Sequence, residues 1–123
     1  MNGRAIMTSN YLVMFVDDDD DMIALLRGVI NHCLPSIDVV FATNGKDAMS
    51  KIDQSRPMIV FTDMDMPIMN GNDLRAAVKL MNKNIRVVAM TACLDAGIGF
   101  DAVFYKPFSI DELVEYIKSE IKK

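Results

Sequence analysis

Cysteine and histidine are scarce in this chain of 123 residues, and their scarcity excludes several kinds of site. The two cysteines, Cys33 and Cys93, lie at no metal-ligand spacing, so we expect two reduced thiols rather than a disulfide framework or a zinc centre. The one histidine, His32, falls in a predicted helix, away from the strand ends that carry other polar groups. We expect a structural or surface role for it.

Long apolar runs and basic clusters are also missing. Residues 1–10 lack the apolar core of a signal peptide, and the apolar run over residues 11–16 is far too short to span a bilayer. The net charge is −4, the pI is near 4.8 and the basic residues are scattered, whereas phosphate backbones are bound by clustered lysine and arginine. We therefore expect a cytoplasmic protein that binds neither membrane nor nucleic acid directly.

The chain does have enough apolar material for one core. With 51% hydrophobic and 24% charged residues, its composition is that of an ordinary globular domain, although eleven methionines is a high count. Methionine usually serves as a pliable filler of the core. We expect a polar N-terminal arm over residues 1–10 and a single domain over residues 11–123.

Short apolar runs alternate with stretches of helical periodicity along this domain. The runs have the length of strands, and their lack of polar alternation is typical of strands buried on both faces. They cover residues 11–16, 39–42, 58–61, 87–90 and 102–105. Asp19–Asp21 are placed to cap and begin the first helix and Pro35 to end it, while Asn44, Asn70 and Ser109 are predicted N-caps of later helices.

The apolar stripes of the predicted helices indicate which residues face the sheet. The inner positions are Met22, Ile23, Leu26, Val29, Ile30 and Cys33, then Ala48, Met49 and Ile52, then Leu74, Ala77, Val78 and Met81, and finally Ile110, Leu113, Val114, Ile117 and Ile121. The alternation predicts an α/β fold, a doubly wound five-stranded parallel sheet with helices on both sides. Only ten residues separate Met90 from Asp101, and Gly97 and Gly99 lie among them, so the fourth helix is predicted to be shortened or missing.

Polar groups follow four of the predicted strands. Asp17 and Asp18 follow the first, Asp63 the third, Thr91 the fourth and Lys106 the fifth. Because ligands of open α/β sheets bind beyond the carboxyl ends of the strands, we expect these groups to share one cleft. Three carboxylates beside one ammonium group repel one another, and Mg²⁺, which prefers hard oxygen ligands, would relieve that repulsion.

A carboxylate in such a cleft can be the nucleophile of phosphoryl transfer and form an aspartyl phosphate. Asp63 is the candidate, because a short buried strand delivers it to the sheet edge and a loop with Pro67 and Gly71 follows it. The transition state spreads negative charge over the transferred group, so the metal, the Lys106 ammonium group and the Thr91 hydroxyl would serve to position and neutralise it.

Taken together and in this order, the motifs resemble those of the receiver domain of response regulators in two-component signalling. The resemblance covers about residues 11–122 and implies the flavodoxin-like or CheY-like fold with strand order 2-1-3-4-5. The motifs that carry it are Asp17-Asp18, Asp63, Met66-Pro67, Asn70-Gly71, Thr91-Ala92 and Lys106-Pro107-Phe108.

The resemblance implies a function and a metal site. Asp63 would accept a phosphoryl group from a histidine kinase or a histidine phosphotransfer protein and would thereby switch contacts with an unknown downstream protein. Mg²⁺ would be bound by Asp17, Asp18, Asp63 and the backbone carbonyl of Asp65. The chain would catalyse only its own phosphorylation and dephosphorylation.

The resemblance also implies a switch, from which this chain departs. Lys106 would pair with the phosphoryl group, Thr91 would move to hydrogen-bond it, and the Lys106-Pro107 bond would be cis. Receivers commonly couple the threonine to an aromatic residue three positions before the lysine, but here that position is Val103, which has no ring to swing. We therefore expect output through the segment 91–100, and a monomer or weak dimer rather than the usual symmetric dimer.

Two alternatives come from other classes. Asp63-Met64-Asp65 after a strand also resembles the nucleophile motif of haloacid-dehalogenase-type phosphohydrolases, but that family has its nucleophile on the first strand and its acidic pair late, the reverse of the order here. A pseudo-receiver that only binds partners is the other alternative. The presence of all five site residue types argues against it.

Overall fold

A five-stranded parallel sheet forms the centre of the molecule, whose computed structural model describes residues 11–94 and 99–123. The strands are β1 (Leu12–Val16), β2 (Asp38–Ala42), β3 (Ile59–Asp63), β4 (Arg86–Thr91) and β5 (Ala102–Tyr105). Their order is β2-β1-β3-β4-β5, and all neighbouring pairs are parallel. The predicted doubly wound α/β fold is confirmed.

Four helices in the described residues cover the sheet. They are α1 (Asp20–Cys33), α2 (Gly45–Ser55), α3 (Gly71–Met81) and α4 (Ile110–Ile121). Each predicted N-cap side chain accepts a hydrogen bond from a backbone N–H of the first turn, which identifies Asp19, Asn44, Asn70 and Ser109 as the caps. None of the helices in the described parts of the chain has both the length and the apolar character needed to cross a membrane.

The connection from β4 to β5 differs from the other crossovers. Its described parts, residues 92–94 and 99–101, contain no helix, in agreement with the prediction of a shortened or missing fourth helix. Gly97 and the predicted N-terminal arm, residues 1–10, lie outside the described residues. The two hydrophobic cores show that α1 and α4 pack on one face of the sheet and α2 and α3 on the other.

Apolar side chains fill both faces of the central strands. Residues 13–16 of β1 are fully buried, and they alternate between a core beneath α1 and α4 and a core beneath α2 and α3. On the first face Phe15 stacks between Phe41 and Phe61, with ring centroids 5.8 and 4.8 Å away. The edge strands β2 and β5 are only partly buried, unlike the prediction of burial on both faces, because each has a neighbour on one side only.

Some boundaries and faces differ from the sequence prediction. β3 and β4 extend through Asp63 and Thr91 because both residues still pair with the next strand, and the starts of β1 to β4 shift by one residue. Cys33 and Met81 were predicted to face the core, but both are exposed. Each is the last residue of its helix, where the apolar stripe no longer has the sheet beneath it.

Candidate functional site

The last residue of β3 holds a carboxylate at the carboxyl end of the sheet. The strand is buried from Ile59 to Thr62, and the side chain of Asp63 is 15% exposed. Its Oδ1 accepts hydrogen bonds from the backbone N–H of Met64 at 2.9 Å and from Lys106 Nζ at 3.3 Å. Two donors therefore fix this carboxylate while it stays open to a reagent from solvent.

β1 carries two more carboxylates to the same place. Asp17 is 1% exposed, its N–H donates to Ala42 O at 3.0 Å, and its Oδ1 accepts from the Asp19 N–H at 3.0 Å. Asp18 is exposed. Carboxylate oxygens of Asp17, Asp18 and Asp63 lie within 4.8 Å of one another. The structure thus brings the three predicted acids together.

The basic side chains near this cluster do not balance the negative charge of its three carboxylates. Burial raises the pKa of Asp17 above its ordinary value of 3.8, and the charges of Asp63 and Asp18 add to the rise, against the opposing effects of the Asp19 N–H and Lys106. Asp17 Oδ2 is buried without a hydrogen-bond partner among the described residues and lies 3.7 Å from Lys106 Nζ. A buried carboxylate oxygen without a donor is stabilised by a cation, and a set of carboxylates fits Mg²⁺.

Lys106 supplies the positive charge that the cluster does have. It is the only basic side chain in contact with these acids within residues 11–94 and 99–123, and its side chain is 26% exposed. The backbone N–H of Lys106 donates to Thr91 O at 2.7 Å, which extends the pairing of β5 with β4 to this residue. The peptide bond that follows, Lys106-Pro107, is cis, as the resemblance implied.

Thr91 ends β4 beside the cleft and is 3% exposed. Its Oγ1 accepts a hydrogen bond from the Cys93 N–H at 3.0 Å, so the hydroxyl oxygen closes a turn in its own segment. The hydroxyl keeps its proton to donate. The thiols of Cys33 and Cys93 are free, as expected.

The loop after Asp63 closes tightly against the strand end. The Gly71 N–H donates to Met64 O at 3.0 Å, and a Cβ at Gly71 would lie 2.8 Å from the carbonyl oxygen of Asp63, so only glycine permits this approach. Asp65 is exposed, and its side chain is not part of the carboxylate cluster found among the described residues. Metal binding by its backbone carbonyl stays a prediction.

Sequence reasoning missed the backbone donors that orient the acids. The N–H of Met64 bonds to Asp63, and the N–H of Asp19 bonds to Asp17. Every residue except proline has such a donor, so no pattern of side chains reveals which ones are used. His32 lies in the last turn of α1, away from the cleft, as expected.

Comparison with known proteins assigns the chain to a family. Residues 13–118 match the family model described as the response regulator receiver domain, and the chain belongs to that family. It is therefore a phosphoacceptor receiver domain of two-component signalling, and the resemblance of its motifs is confirmed. The match gives no support to the hydrolase alternative.

Two relatives and one solved structure illustrate the match. Sporulation initiation phosphotransferase F of Bacillus subtilis is 32% identical over 116 residues, which cover 89% of this chain and 92% of the relative. Transcriptional regulatory protein PrrA of Mycobacterium tuberculosis is 30% identical over 90% of this chain, which spans about half (50%) of that relative. The signal receiver domain of the DNA binding response regulator merR from Colwellia psychrerythraea has the same fold, with a TM-score of 0.84, 24% identity, and coverage of 93% of this chain and 100% of that one.

Proposed function

We propose that Asp63 is the phosphoacceptor and takes its phosphoryl group from a phosphohistidine on a histidine kinase or a histidine phosphotransfer protein. The observation that carries the proposal is the position of its carboxylate, 15% exposed, 3.3 Å from Lys106 Nζ and clustered with Asp17 and Asp18. Attack of a carboxylate oxygen on phosphorus forms the acyl phosphate bond and breaks the bond from phosphorus to the imidazole nitrogen. The imidazole keeps the electron pair and takes up a proton.

Asp17, Asp18 and Asp63, with the backbone carbonyl of Asp65, are proposed to bind Mg²⁺. The orphaned Oδ2 of Asp17 and the raised pKa of that residue support the assignment, because both make a cation favourable at this point. When bound, the ion would offset the negative charge of the incoming phosphoryl group.

Lys106 and Thr91 are proposed to hold the phosphoryl group once it is attached. Lys106 Nζ already contacts Asp63 Oδ1, so a small movement of a 26% exposed side chain brings it to a phosphoryl oxygen. Thr91 can donate its hydroxyl proton to another oxygen. Its Oγ1 accepts from the Cys93 N–H, so a shift of the hydroxyl pulls on residues 91–93.

Output to a downstream protein, whose identity stays unknown, is proposed to run through the segment 91–100. Val103 of β5 is a partly buried aliphatic residue and has no aromatic ring that could turn inward. Its β-branched side chain also has restricted rotamer freedom. Thr91, at the start of the segment, would respond to the phosphoryl group. Gly99, near its end, has a φ of +88°, a backbone conformation that residues with a side chain rarely adopt. The chain would stay a monomer or weak dimer in both states.

Sedimentation velocity with and without beryllofluoride, together with amide hydrogen exchange, tests this output. We expect changed exchange in residues 91–100 without dimerisation. A beryllofluoride-dependent dimer buried along β5 and α4, with unchanged exchange in residues 91–100, would contradict it.

Residues 11–123 are proposed to form the receiver domain and residues 1–10 an arm that precedes it. Catalysis is proposed to be confined to the chain's own phosphorylation and dephosphorylation, because the cleft brings together an acceptor carboxylate and the lysine that can neutralise a phosphoryl group. Because the chain belongs to the response regulator receiver family, we place the phosphoryl exchange in the cytoplasm.

Labelling with acetyl phosphate tests the assignment of Asp63. In the presence of Mg²⁺, intact mass measurement should show one added phosphoryl group on the wild type and none on Asp63→Asn. Asp65→Asn is the matched control, because it changes an exposed acid two residues away and should still be labelled. Full labelling of Asp63→Asn would overturn the assignment, and sustained turnover of p-nitrophenyl phosphate by the wild type would favour a hydrolase.

A further inference from the structure

The loop that follows Asp63 contains a backbone conformation that its residue type disfavours. Ile68 has a φ of +74°, and the Met69 N–H donates to Pro67 O at 2.8 Å, so Ile68 is the central residue of a γ-turn of the rare, strained hand. A β-branched side chain is especially costly at positive φ, whereas glycine would adopt this φ without strain. The residue type thus opposes the turn.

The fold does not use the Ile68 side chain. Ile68 is 75% exposed, although Met66 and Met69 of the same loop pack against the core beneath α2 and α3. Residues held in sparsely populated backbone conformations cluster at active sites and binding surfaces, so the backbone strain at Ile68 indicates a function when a reactive group is close in the chain. Here the reactive group is the carboxylate of Asp63, five positions earlier.

A second apolar surface flanks the cleft on the opposite face of the sheet. A cavity of about 510 Å³ has Leu25, Phe108 and Ile110 among its lining residues, and Lys106 is the only charged one among those that the structure describes. Leu25 is 51% exposed. Since Lys106 also contacts Asp63, the cavity adjoins the cleft on the side of α1 and α4, while the loop of Ile68 packs on the side of α2 and α3.

We propose that Ile68 is a docking residue by which the chain selects its phosphohistidine-bearing protein partner. The inference rests on the proposed function, because a protein that delivers a phosphoryl group to Asp63 has to cover the carboxyl end of β3, and the loop that contains the exposed Ile68 leaves that end and returns to it at Gly71. A partner with an apolar surface next to its phosphohistidine buries Ile68 on binding. A small phosphodonor such as acetyl phosphate enters the cleft without touching it.

Ile68→Gly separates docking from chemistry, and two variants serve as controls. The probe is a phosphohistidine-bearing phosphotransfer domain, chosen as the member of a purified set that labels the wild type fastest. Ile68→Val keeps the branch and most of the apolar contact. Leu80→Ala removes an apolar side chain that is 90% exposed on α3, near the far end of the sheet.

We expect Ile68→Gly to lower kcat/KM for the protein donor about tenfold, mainly through KM, because the burial of one isoleucine is lost. Labelling by acetyl phosphate should stay within about twofold of the wild type, and Tm should rise by a few degrees as the strain is relieved. The protein donor should label Ile68→Val and Leu80→Ala at the rate at which it labels the wild type.

Four outcomes would count against these claims, and each bears on a different one. Unchanged transfer from the protein donor to Ile68→Gly overturns the docking role, and a lower Tm overturns the claim of strain. An equal loss with acetyl phosphate shows that Ile68 acts on the cleft itself and not on docking. If the wild type is labelled by neither donor, the proposed function fails, whatever Ile68 does.

Discussion

At the carboxyl end of the sheet three carboxylates share the ammonium group of Lys106, whereas at the amino end two carboxylates contact three basic side chains among the described residues. Asp101, just before β5, lies 2.8 Å from Lys79 Nζ and 3.4 Å from an Arg86 nitrogen. Arg86 also contacts Glu120 at 3.3 Å, and Glu120 forms a second ion pair with Lys123.

The two ends also shift the pKa of an aspartate in opposite directions. Burial raises the pKa of Asp17 above 3.8. Partial burial alone would raise the pKa of Asp101 too, but hydrogen bonds from Lys79 and the Val87 N–H, and the charges of Lys79 and Arg86, outweigh it and hold that pKa below 3.8. The ion pairs at the amino end link α3, β4, α4 and the residue before β5, whereas the carboxyl end keeps an excess of negative charge.

Breaking the amino-end network should have the largest effect on stability. Asp101→Ala removes the acceptor of the Val87 N–H bond at 2.8 Å and the partner of two basic side chains, so we expect the free energy of unfolding to fall by about 2 kcal/mol. Urea denaturation measures this. Asp53→Ala, at an exposed acid of α2, is the control and should change stability by less than about 0.5 kcal/mol. An equal change in both variants would show that the network is not stabilising.

Adding a cation should reduce the difference in charge balance between the two ends of the sheet, because it offsets the excess negative charge at the carboxyl end. Mg²⁺ at ten times its Kd should raise the free energy of unfolding of the wild type by about 1.4 kcal/mol, because it binds the native state. Asp18→Asn should lessen this response, and the thermal melt with and without Mg²⁺ reports it. If Asp17→Asn and Asp18→Asn both keep the full response, the cation binds elsewhere.

Removing one buried charge should act in the opposite sense to the break at Asp101. In metal-free buffer, Asp17→Asn should raise the free energy of unfolding by about 1 kcal/mol, since it removes a buried carboxylate with an orphaned oxygen and relieves repulsion from Asp18 and Asp63. Asp20→Asn, at an exposed acid in the first turn of α1, should bring no such gain. Destabilisation by Asp17→Asn would mean that Lys106 already neutralises the cluster.

The pH dependence of stability should show the smallest effects, with opposite signs at the two ends. Because the folded-state pKa of Asp17 is raised, its contribution in metal-free buffer improves as pH falls through that pKa toward 3.8, and Asp17→Asn should remove this gain. Because the pKa of Asp101 is lowered, its stabilisation is complete above 3.8 and is lost as pH falls below 3.8. Each slope is at most about 1.4 kcal/mol per pH unit, and chemical denaturation at closely spaced pH values measures it. Equal slopes in the wild type and both variants would contradict the assignment.

The carboxyl end could be predicted from sequence because a parallel sheet brings the ends of its strands to one edge. Asp17, Asp63 and Lys106 needed only the strand pattern to be placed together. The amino-end network has no motif, since Lys79 and Glu120 come from helices whose rotation about their axes the apolar stripe fixes only roughly. Ile68 was missed for another reason. Its φ of +74° suits glycine, so the residue type conceals the turn.

The short connection from β4 to β5 also bears on the order in which the sheet assembles. Val88 of β4 pairs with Ala102, only 14 positions later, whereas Met14 of β1 pairs with Val60, 46 positions later. By the scaling of loop-closure entropy with length, closing the shorter loop costs about 1 kcal/mol less, and local pairings favour fast folding. We therefore expect β4 and β5 to meet before β1 and β3 during refolding, so that the connection of residues 92–101 becomes the starting point of the fold.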